Sequence, residues 1–210
     1  MNSNTFDLYI KSKQTNSKNK KQYTHTKIGD KSKNIYGGCF IIPQDEKEKF
    51  WKLYFQHVFK NGKKEYLTER QLFEGGPILI DIDMRYDNTV ESKQHTHDDV
   101  LQLIGLYMEH VSSIYKIIDG SEVSIFVMEK KNVNKLEDVT KDGIHIIIGI
   151  KSDKPAQVLL RNKVLNDMDE IWGELPLTNT WEQVIDDGIT KGSVNWQMYG
   201  SRKPGCERYN

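Results

Sequence analysis

The chain is 210 residues long, enough for one large domain or two small ones with a real core, and its 30 Lys and Arg balance 30 Asp and Glu. That balance excludes a bulk electrostatic case for nucleic acid, although local segregation of charge can still make one. The apolar runs are far short of a membrane span, and Met1-Asn2-Ser3-Asn4 lacks the apolar stretch of a signal peptide.

In chain order, residues 11–34 carry Lys11, Lys13, Lys18, Lys20, Lys21, Lys27, Lys31 and Lys33 against one acid, Asp30. Residues 1–34 are expected to form a polar, solvated arm; the sharper reading is a basic strip against a phosphate backbone. Phe40-Ile41-Ile42 predicts a short strand. Asp45 to Lys60 predicts a helix with Phe50, Leu53, Tyr54, His57 and Val58 on one face, stopped by Asn61-Gly62. Cys39 and Cys206 stand alone, which fits a reducing, intracellular compartment and neither a disulfide framework nor a CxxC zinc site.

Pro77-Ile78-Leu79-Ile80-Asp81-Ile82-Asp83 predicts a buried strand over Ile78 to Asp83. Residues two apart on a strand share a face, so Asp81 and Asp83 would project side by side from its end. Neighbouring carboxylates repel, and a divalent cation between them is the simplest remedy. The other reading places both just past the strand, solvated. Arg85 to Lys93 is expected as a polar loop.

His95-Thr96-His97-Asp98-Asp99 has the look of a metal cluster, but Thr96 with Asp99 three later is better read as a helix cap. Val100, Leu101, Ile104, Met108, Val111, Tyr115 and Ile118 follow at helical spacing. Strands are predicted at Val123 to Met128 and Ile144 to Ile150. Pro155 opens a helix to about Trp172, with Val158, Leu159, Val164, Leu165, Met168 and Ile171 inward. Thr180 to Ile185 is a short helix with Thr180 and Gln183 as a capping pair, and Val194 to Tyr199 a last strand. Mixed strands and helices of these lengths predict an α/β or α+β domain.

Two further constellations carry chemistry. His145 heads an apolar strand, with Lys141 and Gly143 just before it; the three make a phosphate cradle. Asp186 closes Val184-Ile185-Asp186, with Asp187 as an alternative acid, and the last strand runs into the basic turn Gly200-Ser201-Arg202-Lys203. Carboxylates for two divalent ions and cations for a triphosphate are the parts needed for metal-dependent nucleotidyl transfer.

On these residues the chain resembles an archaeo-eukaryotic primase catalytic domain of the primase-polymerase kind, as fused to helicases in large DNA viruses. The motifs are Ile80-Asp81-Ile82-Asp83, then Lys141-Asp142-Gly143-Ile144-His145, then Val184-Ile185-Asp186-Asp187-Gly188 with Asn195 to Lys203. Thr24 to Asp30 with Asn34-Ile35-Tyr36-Gly37-Gly38 also resembles the start of such proteins. The resemblance implies an α+β core in which an RRM-like sheet carries the acidic motif, flanked by helices, over residues 35–210. It implies that Asp81, Asp83 and Asp186 hold catalytic Mg²⁺ or Mn²⁺, and that His145, Lys141, Lys203 and Arg202 meet the phosphates of a nucleoside triphosphate. It implies a single-stranded DNA template and a helicase module beyond Asn210, since no phosphate loop occurs in the chain itself. Gly143 stands where many members have serine, and Gln197 where many have arginine. A catalytically weak nucleic-acid-binding remnant and a metal-dependent Asp-x-Asp glycosyltransferase are the alternatives.

Overall fold

The computed structural model describes residues 5–16, 22–72, 74–118 and 120–210. The chain divides into two compact units, Met1–Gln71 with Asn195–Asn210, and Leu72–Val194. Both mix helices with antiparallel strands, the α+β class expected.

The first unit opens with α1 (Thr5–Ser12), which buries Phe6, Tyr9 and Ile10, the spacing of one helix face. β1 (Gln14–Thr15), β2 (His25–Lys27) and β3 (Gly38–Phe40) follow, then α2 (Lys47–Phe55) and β4 (Leu67–Glu69). Part of the stretch expected to be an arm therefore contributes a helix and two strands; Lys18, Lys20 and Lys21 lie outside the described residues. The apolar teeth at Phe6, Tyr9 and Ile10 are what a lysine count overlooks. The helix predicted for Asp45 to Lys60 is a short 3₁₀ turn, then α2, then a five-residue π turn over Gln56–Lys60.

The second unit contains β5 (Gly76–Tyr86), α3 (His97–Ile114), β6 (Ile125–Glu129), β7 (Asn134–Lys135), β8 (Thr140–Ser152), α4 (Lys154–Trp172), α5 (Trp181–Val184) and α6 (Asp187–Thr190). Its sheet runs β5-β8-β6, with β7 also on β8, and every pairing is antiparallel. β5 alternates without a break: Ile78, Ile80, Ile82, Met84 and Tyr86 are buried, and Leu79, Asp81, Asp83 and Arg85 are half-exposed. The buried face joins Val100, Leu103, Tyr107 and Val111 of α3 and Leu160, Val164, Met168 and Trp172 of α4 in one core.

α3 begins as the capping reading predicts. Thr96 Oγ1 accepts from the Asp99 amide at 3.2 Å, and Asp99 Oδ2 accepts from the Thr96 amide at 2.6 Å. The inward stripes of both long helices differ from expectation. Leu101 and Ile118 are exposed while Leu103 and Tyr107 are buried, and in α4 Leu159 is exposed while Gln157 and Arg161 are buried. Those two polar side chains go inward because they satisfy main-chain oxygens: Gln157 Nε2 donates to Ser152 O, and Arg161 Nε donates to Ile185 O at 2.8 Å. Thr180 precedes α5 but makes no side-chain cap.

The chain then returns to the first unit, where β9 (Trp196–Gln197) completes a sheet of order β1-β3-β2-β4-β9. Phe6, Phe40, Phe50, Tyr54, Leu67 and Met198 form the core of this unit.

Candidate active site

The face of the β5-β8 pair that carries the half-exposed Asp81 and Asp83 also carries His145, which is itself buried. Asp81 lies directly across from His145, Asp83 across from Gly143, and Arg85 across from Lys141. His145 Nε2 is 3.4 Å from Asp81 Oδ1, and Lys141 Nζ is 3.6 Å from Asp83 Oδ2. Directly opposed side chains stand about 5 Å apart at Cβ, so register forces Asp81 and His145 together, whereas Lys141 reaches Asp83 along the diagonal with its long side chain. Gly143 puts no side chain beside Asp83, leaving that carboxylate open on the strand's flank.

Two expectations about position are corrected here. β5 continues to Tyr86, so Asp81 and Asp83 sit within the strand and not at its end, and Arg85 is a strand residue. β8 begins at Thr140, so His145 lies inside the strand and not at its head. Both strands run on because the alternation persists through Met84-Arg85-Tyr86 and because β8 supplies partners as far as Thr140.

Arg85 is the residue that sequence reasoning passed over. Its Nη2 reaches Asp83 Oδ2 at 3.4 Å, and its Nε is buried without a hydrogen-bond partner among the described residues. Asn179 fixes this stretch, accepting from the Arg85 amide at 3.0 Å and donating to Asp83 O at 2.9 Å. The period-two pattern through Tyr86 was the signal that could have placed Arg85 on the acid face.

Asp186 comes to the same strand by its backbone. Ile185 bridges Ile82, and the Asp186 amide donates to Asp81 O at 2.9 Å. Its Oδ1 accepts from the Gly188 and Ile189 amides at 2.6 and 3.3 Å, which caps α6. Asp187 is exposed and paired with Lys191.

The donor chemistry suits a hard divalent cation: three carboxylates, each with one oxygen engaged by the protein and one without a hydrogen bond among the described residues. They do not form a closed set. Among the described residues, the group of three acidic and histidine ligand atoms that does lie within 4.8 Å of one another belongs to Asp7, His57 and Glu65 of the first unit. There Lys27 already neutralises Glu65 at 2.8 Å. Burial pushes the Glu65 carboxyl up, but His57 and Lys27 outweigh it and hold it below the ordinary range.

Arg202 and Lys203 lie in the first unit, in a turn held by main-chain bonds. The Arg202 amide donates to Glu65 O at 2.9 Å, and Ser201 Oγ accepts from the Leu67 amide at 3.1 Å. Gln197 Nε2 donates to Ser201 O at 2.9 Å, so its amide braces this turn.

On the opposite, helix-covered face, His95 is buried between Glu129, at 2.7 Å from Nε2, and Asp142, at 3.4 Å from Nδ1. Within that cap segment, Thr96 and Asp99 serve the helix and His95 serves the sheet rim.

The family model for the C962R protein N-terminal AEP domain matches residues 24–210. The chain is also 29% identical over 169 residues to the "Putative helicase L207/L206" of Acanthamoeba polyphaga mimivirus. That alignment covers 79% of this chain and 17% of the relative, so the chain spans about a sixth of the relative's length.

Proposed function

The chain belongs to this archaeo-eukaryotic primase (AEP) domain family, and from that premise we propose that it is a metal-dependent primase-polymerase domain acting on a single-stranded template. The observation that carries the reading is the shared sheet face, where Asp81 and His145 oppose each other, Asp83 follows one step along and Lys141 two steps along the same pair of strands. A bound pair of Mg²⁺ or Mn²⁺ ions would supply charge neutralisation and activation of the attacking hydroxyl.

This chain's own groups divide the remaining work. Asp81, Asp83 and Asp186 would hold the metals. His145 and Lys141 donate toward the phosphates of the incoming nucleotide. Arg85 and Lys141 balance the Asp83 charge. A 3′-hydroxyl attacks the α-phosphate, and pyrophosphate leaves; the protein supplies positioning and charge, and no nucleophile of its own.

The name of the mimivirus relative supports a helicase module as partner, in the same longer protein or as a separate chain. Cys39 and Cys206 are both free thiols, in keeping with a reducing compartment of an infected host cell. None of the described helices is long and apolar enough to cross a membrane.

Template-dependent incorporation of labelled nucleotides with Mg²⁺ or Mn²⁺ tests the reading. The wild type should incorporate, and Asp81→Ala and Asp83→Ala should each lose about 100-fold or more. No incorporation by the wild type with either ion would leave the nucleic-acid-binding remnant. Metal-dependent release of a nucleoside diphosphate from sugar nucleotides would favour the glycosyltransferase instead.

A further inference from the structure

We propose that the aromatic patch on the first unit formed by Phe55, Phe59 and Tyr199 is a stacking platform for single-stranded nucleic acid. Phe59 and Tyr199 stack with ring centroids 5.2 Å apart and planes 24° apart, and Phe55 meets Phe59 at 5.6 Å. Phe55 is 48% exposed and Tyr199 53% exposed, far above what a core or a capped helix face leaves open.

The platform is held rigidly from below. Tyr54 Oη donates to Tyr199 O at 2.8 Å and lies 2.9 Å from Ser201 Oγ. Gly200 has φ +84°, and a Cβ there would stand 2.6 Å from Phe59 Cζ, so only glycine allows the Tyr199 turn to close onto the Phe59 ring. Rings fixed on braced backbone offer contact area at little entropic cost.

Charge selects the occupant. Residues 49–64 contain five lysines and no acid, and the turn at 198–206 adds Arg202 and Lys203, again without an acid. Lys60 Nζ sits 5.4 Å from the Phe55 ring centroid. Lys60, Lys63, Lys64 and Lys203 are exposed and have no ion pair among the described residues. Protein–protein interfaces are depleted in lysine, whereas exposed rings with Lys60 at their edge, on a segment rich in unpaired lysines, suit bases and phosphates. The partner's part as template rests on the proposed polymerase activity; the binding surface does not.

Fluorescence anisotropy of the full chain with a labelled oligo-dT, over a salt series, tests the platform. Tyr199→Ala should weaken binding about ten-fold, Tyr199→Trp should bind at least as well as wild type, and Lys60→Gln should lower the slope of log affinity against log salt by about 0.7. Both aromatic replacements are at an exposed ring, and a thermal melt checks that each variant is folded. Unchanged binding in both Tyr199→Ala and Phe55→Ala overturns the platform, as does a change in sedimentation with no change in oligonucleotide affinity, which would mark a protein partner. The two readings separate cleanly. Normal oligonucleotide binding by Tyr199→Ala, in a protein whose incorporation is lost with Asp81→Ala, sinks the platform alone. Platform-dependent binding by a wild type that incorporates nothing sinks the polymerase alone.

Discussion

At the scale of single residues, the most consequential distinction is between two adjacent aspartates. Asp186 hydrogen-bonds by its amide to Asp81 and caps α6 with Oδ1, whereas Asp187 is exposed beside Lys191. Asp186→Ala should therefore cost about 1 kcal/mol from the lost cap and abolish incorporation. Asp187→Ala should leave both the urea midpoint and incorporation where they were. Sequence spacing favours Asp186 and leaves Asp187 open, because neighbours on a chain are separated only by the contacts each one makes. A second residue-level expectation concerns pH. The His25 imidazole is pushed down to about 4 from 6.5, chiefly by burial and further by Lys47. As pH falls from about 6.5 toward 4, the unfolded chain takes up this proton and the folded chain does not, so stability drops across that window. Urea midpoints measured through the window should fall for the wild type and fall less for His25→Phe, which keeps a ring against Phe50 without a titrating nitrogen.

At the scale of elements, strand β5 does two jobs through its period of two. Its even-numbered side chains are core and its odd-numbered ones are the candidate site. Ile82 is fully buried in the main core and pairs with both Ile144 and Ile185. Ile82→Ala should cost about 3 kcal/mol in denaturant unfolding, and it should lower incorporation as well, by loosening the backbone between the two acids. Loss of stability with full retention of activity would show that the strand's two faces are uncoupled. Helices were legible in kind but not in phase. α3 has apolar residues around most of its circumference, among them Leu101, Leu103, Ile104 and Leu106, so periodicity marks a helix without choosing the side that faces β5. The choice of Leu103 and Tyr107 over Leu101 follows from packing against the sheet and α4. The same holds for Arg161, whose inward position depends on carbonyls at 182 and 185 that no local pattern announces.

For the whole molecule, the first unit is discontinuous in sequence and the second is not. β9 pairs with β4, Met198 sits in the first unit's core, and Ser201 accepts from the Leu67 amide. Removing residues 195–210 should therefore strip hydrogen-exchange protection from β2 and β4 while leaving β5 and β8 protected, since no part of the second unit's sheet comes from that segment. Local chemistry was readable from the residues: the Asp81/Asp83 alternation, the Thr96–Asp99 cap, the apolar strand around His145, the basic turn at Arg202-Lys203 and the mixed α+β class. Those features repeat within a few residues, so period and capping encode them directly. Only the tertiary structure set Asp81 opposite His145 and Asp83 beside Lys141, brought Asp186 onto the edge of β5, enlisted Arg85 and buried the N-terminal helix. Each of these depends on registers and contacts between distant segments, and a linear pattern has no term for the partner that satisfies a hydrogen bond a hundred residues away.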